Sequence, residues 1–199
     1  MKKLLGILVL SFCLITPSQA DDIRDFQIEG MSIGDSALDY FSEEEIKNAK
    51  NNLYCTVTNN KKECDYFYSA TFWDLAKFDI YDAVRFHAKN GDKKHVIYQL
   101  NGQIFFARNF ENCIKKKKII LDETSEVIES LKKVYDGTYK HDGDKSGKST
   151  VISVEYDFPN KDYFSVACYN WSDESGHPIT LHITFTKKEF GHWLTKIYK

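Results

Sequence analysis

Four cysteines, Cys55, Cys64, Cys113 and Cys168, constrain this chain most, because its first twenty residues direct them to an oxidising compartment. Met1-Lys2-Lys3 is a positive head, Leu4 to Ile15 an apolar run, and Ser18 and Ala20 are the small residues a signal peptidase needs before Asp21. The run is too short for a bilayer span, which takes about 20 helical residues. Cys13 lies within it behind Phe12, where a lipoprotein signal would carry a small residue. The expected organisation is a signal peptide over 1–20 and a single domain over 21–199, periplasmic or secreted, with no stable membrane span once the signal is removed.

An even cysteine count outside the cytoplasm reads as a disulfide framework with three possible connectivities. Cys55 with Cys64 closes a short polar loop, leaving Cys113 to join Cys168. There is no C-x-x-C pair to suggest zinc, and no metal or other cofactor is expected. Lys2 and Lys3 are two of the 27 basic residues, so without the leader 25 face 29 acidic ones and the formal charge moves from -2 to -4. Nothing in that balance favours a phosphate backbone, and nucleic acid is excluded as a partner. The 14 Phe, 12 Tyr and 3 Trp, many alternating with polar residues, suit half-buried sheet faces.

Along the chain, Gly30 and Gly34 punctuate a turn. Ser36 can cap a short helix over 37–41, and Ser42 with Glu45 forms a capping box before Ile46. Residues 48–63 read as a surface loop, and 66–73 as a strand. Residues 80–88 and 95–106 flank Asn90-Gly91-Asp92, a hairpin signal that pairs Val84 with Tyr98 and Phe86 with Val96. From Asn109 to Tyr135 apolar residues recur every three or four positions, predicting one long amphipathic helix stopped by Gly137; Lys115 to Lys118 spread around it. After a polar loop over 138–149, strands are predicted around 152–158, 163–171 and 179–185, then a helix over 188–198. The expected fold class is α+β: an antiparallel sheet of about five to six strands, with the long helix and shorter terminal helices on one face. Cys113 lies on the apolar side of the helix and Cys168 on an apolar strand face, hence their pairing.

Several motifs resemble chemistry they cannot complete. Gly147-Lys148-Ser149-Thr150 resembles the end of a P-loop, but Asp142 stands where the motif needs its first glycine. Gly34-Asp35-Ser36 resembles the first block of the GDS-type hydrolases, which makes an envelope ester hydrolase with Ser36 as nucleophile the alternative function. No G-x-N-D block accompanies it, and the one D-x-x-H, Asp92 to His95, lies mid-chain. The proposed hairpin register sets His87 opposite His95 on a polar face. His182 lies on another polar strand face.

Longer blocks carry a resemblance: Ile28-Glu29-Gly30-Met31-Ser32-Ile33-Gly34-Asp35-Ser36 with Leu38 to Ile46, then Ile97 to Gly102, Cys113, Ser146-Gly147-Lys148, Cys168-Tyr169-Asn170-Trp171, and Glu189-Phe190 with Trp193-Leu194. In these the chain resembles a family of small exported, functionally uncharacterised proteins of marine alphaproteobacteria. The resemblance implies an envelope location and supplies no activity, ligand or catalytic residue. The function expected is a non-catalytic, disulfide-stabilised binding module for an envelope protein or a small ligand. Tyr40, Phe41, Tyr169 and Trp171, aromatic groups at element ends, are its candidate contact residues.

Overall fold

In the computed structural model, residues 22–52, 54–57, 63–73, 76–144 and 146–198 are described; the leader and Cys13 lie outside them. The elements in chain order are α1 (Glu43–Ala49), β1 (Lys50–Asn51), α2 (Tyr54–Val57), β2 (Phe67–Phe72), β3 (Ala83–Lys89), β4 (Gln99–Phe105), α3 (Phe110–Glu123), α4 (Ser125–Ile128), β5 (Lys132–Lys140), β6 (Thr150–Asp157), β7 (Tyr163–Asn170), β8 (Thr180–Thr186) and α5 (Lys188–Ile197). All eight strands form one antiparallel sheet in the order β1-β2-β3-β4-β8-β7-β6-β5. The fold class is α+β as expected, but with eight strands among the described residues instead of five to six.

Alternation sorts the sheet into two unlike faces. Tyr68, Ala70, Phe72, Val84, Phe86, Leu100, Phe164, Val166, Cys168, Leu181, Ile183 and Phe185 form one apolar face. Ile23, Ile28, Met31 and Phe41 from the N-terminal segment, Ile46 of α1, and Cys113 and Ile120 of α3 cover it. The Cys113–Cys168 disulfide ties α3 to β7 across this layer, and Cys55–Cys64 closes the other loop, so both expected pairings are present. The capping box is formed: Ser42 Oγ accepts from the Glu45 amide, and the Glu45 carboxylate accepts from the Ser42 amide at 2.7 Å.

Three expectations need correction. The long helix ends at Glu123, where Thr124 turns its hydroxyl onto the Ile120 carbonyl at 2.7 Å, and the chain re-enters the sheet at Lys132. A register shift between Lys133 and Tyr135 lets Val134 and Tyr135 keep their helix-like spacing from Leu131 although both lie in a strand. Second, α5 does not join α1 and α3: its Phe190, Trp193 and Ile197 pack with Phe67 and with Tyr54 of α2 on the opposite sheet face. Third, the hairpin register is displaced, with Val84 opposite Gly102 and Phe86 opposite Leu100. Residues 92–97 are diverted to the N-terminal segment, where the Ile97 amide donates to Asp35 O and its carbonyl accepts from the Gly34 amide. His87 therefore faces Gln99, and His95 binds Tyr68 on the other side of the sheet, so the two imidazoles do not meet.

Candidate functional site on the polar sheet face

The second face carries the other half of each alternation, its larger side chains polar except at Phe67 under α5 and at Phe105 and Val151. One cross-strand row runs Thr71, Arg85, Asn101, Thr184, Ser165, Glu155 and Tyr135 through β2, β3, β4, β8, β7, β6 and β5. The next row holds Ala83, Gln103, His182, Ala167, Ser153 and Gly137. On the other side, Ser69, His87, Gln99, Thr186 and Tyr163 lie in the row beneath α5. There the Phe190 ring is 4.6 Å from that of His87, and Gly191 approaches Tyr163 so closely that a Cβ would stand 3.0 Å from its ring.

Buried polar groups need partners, and most of this face supplies its own. Gln103 Nε2 donates to Asn101 Oδ1 at 2.8 Å, and Asn101 Nδ2 donates to Thr184 Oγ1 at 2.6 Å. Gln99 Nε2 donates to Thr186 Oγ1, Ser153 Oγ to Glu155, and Ser69 Oγ to the Asn51 carbonyl. Tyr54 OH is 2.9 Å from His87 Nε2, while the buried His87 Nδ1 has no hydrogen-bond partner among the described residues.

Three groups stand apart in the middle of this network. Arg85 Nε donates to Thr71 Oγ1 at 2.9 Å, but its terminal nitrogens meet no hydrogen-bond acceptor and no carboxylate among the described residues. Gln103 Oε1 and both ring nitrogens of His182 are likewise unbonded among them. Gln103 and His182 are direct cross-strand partners, and Arg85 lies diagonally across from Gln103 on the neighbouring strand. A diagonal pair such as Arg85 and Gln103 is separated by about 7–8 Å, within reach of long side chains, and His182 lies one strand further.

The electrostatics leave one central charge. Burial lowers the Arg85 pKa from the usual guanidinium value, with Tyr54 and Tyr169 nearby opposing the shift, yet a group that starts this high stays protonated. Burial, then Arg85, then His141 push His182 down to about 3, and burial with Arg85 holds His87 well below the usual imidazole value, so both rings are neutral at pH 7. Tyr169 is pushed up to about 12 by burial and stays a phenol. Glu155, raised by burial, is the one carboxylate in the row, four strand spacings or about 19 Å from Arg85 along the sheet.

The rim beside His182 is aromatic. Tyr169 lies 4.2 Å from the His182 ring and 5.9 Å from Trp171, which lies 4.4 Å from His141 and 4.8 Å from His177. The loop carrying His141 is set by Asp144, whose carboxylate accepts from Ser146, Ser149 and Ser172 and is held well below the usual range chiefly by the Ser149 hydroxyl. The P-loop-like segment is thus an aspartate-centred loop docked on Ser172.

Of the four aromatic candidates, Tyr169 and Trp171 lie together on this rim. Phe41 is 3 % exposed and stacks on Phe72 at 3.7 Å within the apolar layer, and Tyr40 bonds Asp35 Oδ2 at 2.6 Å, also on that side of the sheet. Ser36 Oγ donates to the Lys94 carbonyl at 2.7 Å and accepts from the Leu38 amide, the bonding of a cap. Arg85, Gln103 and His182 escaped selection, although strand alternation already sets Arg85 and His182 on polar faces; only the sheet order brings them together. Among the described residues, no group of three or more His, Cys, Asp or Glu side chains could hold a metal ion, and no helix is long and apolar enough to cross a membrane. No protein-family model, curated protein or solved structure matches the chain.

Proposed function

We propose that this chain is an exported, non-catalytic binding domain, resident in the periplasm or secreted, that holds a small polar ligand on the face around Arg85, Gln103, His182 and Tyr169. The observation carrying this reading is Arg85: a half-buried cation whose two terminal nitrogens meet no partner among the described residues, next to Gln103 Oε1 and the His182 ring nitrogens, which are unbonded there too. A guanidinium fork that the protein leaves unused in a half-buried position, beside unused donors and acceptors, is preorganised for a ligand. Export is supported by the lysine-headed apolar leader and by two disulfides, which form and persist in oxidising compartments. Kinship with small exported proteins of marine alphaproteobacteria belongs to the same reading and rests on the residue blocks quoted above. The Ser36 hydrolase draws no support from the geometry, since its hydroxyl is bonded to main chain on both sides.

Native mass spectrometry of protein recovered from the envelope tests this reading. The mass should correspond to a chain cut after Ala20 with two disulfides, carrying a non-covalent adduct that His182→Phe, which fills the face, removes. A bare mass in the unaltered protein, or an adduct that persists in His182→Phe, overturns it.

A further inference from the structure

We infer that the ligand is a short monocarboxylate bearing a hydroxyl group a few bonds from its carboxyl carbon. This rests on the binding reading above and adds the chemistry of the occupant. The terminal nitrogens of Arg85 form a planar fork with no partner among the described residues, and a carboxylate matches that fork with two parallel charge-assisted bonds. A single negative charge is specified because Arg85 is the only cation in the two central rows, and every other side chain there except the distant Glu155 is neutral. A second carboxylate would find neutral Gln103 and His182 beside Arg85 and meet Glu155 toward β6.

The hydroxyl follows from what those two neighbours lack. Gln103 has spent its Nε2 on Asn101 and presents only a carbonyl oxygen, which needs a donor. Neutral His182 presents one N–H donor and one acceptor, both unbonded among the described residues. A ligand hydroxyl can donate to Gln103 Oε1 and accept from the His182 N–H, completing the groups the protein leaves open. An ether or a methyl group would leave Gln103 Oε1 unpaired, and a phosphate dianion would bring a second charge that no cation answers.

Isothermal titration calorimetry on the purified full chain, with both disulfides formed, decides this. Lactate and 3-hydroxybutyrate are expected to bind at least about tenfold tighter than butyrate, succinate or inorganic phosphate, because only the hydroxy acids complete the Gln103 and His182 bonds with a single charge on Arg85. Arg85→Lys should weaken 3-hydroxybutyrate at least about tenfold, because a point charge replaces the fork. Should that variant fail to fold, Gln103→Leu decides: it must erase the preference for 3-hydroxybutyrate over butyrate. Equal binding of 3-hydroxybutyrate and butyrate, preference for succinate or phosphate, or an unaltered affinity in Arg85→Lys overturns the inference. If no carboxylate binds while the native adduct is present and lost in His182→Phe, the ligand class is wrong and the binding face stands. If the adduct is absent or survives His182→Phe, the face itself fails.

Discussion

Gly102 shows at a single residue how tightly the apolar layer is closed. Its backbone φ is unremarkable, and it pairs in register with Val84 on one side and Ile183 on the other, so the glycine is required neither by a turn nor by a bulge. It is required by Tyr81: an added Cβ would stand 2.4 Å from the Tyr81 ring, which lies against the strand and is 8 % exposed. The ring has little room to retreat, because the amides of Asp79, Ile80 and Tyr81 are all held by the Glu29 carboxylate at 2.8 to 3.1 Å. Gly102→Ala should therefore cost about 1–3 kcal/mol in urea unfolding, the range for overpacking a filled site. Tyr81→Leu in the same background should recover most of that loss; a Gly102→Ala protein as stable as the parent would show that the ring moves freely.

The elements most dependent on covalent support are α3 and the segment under α5. Cys113–Cys168 closes a sequence separation of 55 residues and joins α3 to a central strand, whereas Cys55–Cys64 closes 9 and holds the segment whose Glu63 carbonyl accepts from Trp193 Nε1 at 2.8 Å. On the chain-entropy estimate the longer loop contributes about 4 kcal/mol and the shorter about 3. Cys113→Ala with Cys168→Ala should thus lower stability more than Cys55→Ala with Cys64→Ala. The second pair of changes should instead raise hydrogen exchange selectively in α5; equal protection of α5 in both variants would break this assignment. Both pairings were legible in the sequence because each rested on local facts, a short polar loop and two apolar faces. The strands β6, β7 and β8 were legible for the same reason, since strict alternation over six to eight residues has one reading. The segment from Leu131 to Tyr135 was not: a register shift gave it helical spacing, and only pairing with β6 discloses a strand. The polar site was least legible, because Arg85 and His182 are 97 positions apart in sequence and come to flank the same strand, β4, whose register the N-terminal segment resets.

At the scale of the whole molecule, the sheet seals one face and keeps polar rows beside the α5 cluster on the other, and this asymmetry makes stability depend on pH. Its edges are protected in different ways: β1 is two residues long, and β5 carries Lys132, Lys133 and Lys140, which oppose strand addition. The polar face cannot be protected by charge alone, since its imidazoles are buried in the neutral form. His87 and His182 have folded pKa values below the ordinary imidazole value of 6.5, His182 at about 3, and burial lowers His141 in the same direction. The unfolded chain therefore binds these protons first as the pH falls. Stability is full above about pH 7 and declines as pH drops through 6.5 toward the folded values, by at most about 1.4 kcal/mol per pH unit for each imidazole. Glu155 works in the opposite sense, because burial raises its pKa and the fold takes that proton before the unfolded chain does. Comparing the parent with His182→Gln cancels Glu155 and the other histidines, while glutamine keeps a neutral donor and acceptor near the imidazole positions. Urea midpoints measured from pH 7 to pH 5 should fall less steeply in His182→Gln than in the parent, a window above the ordinary carboxylate titrations. Parallel curves would mean that His182 is solvated in the fold, and that the polar face is wetter and less preorganised than its geometry requires.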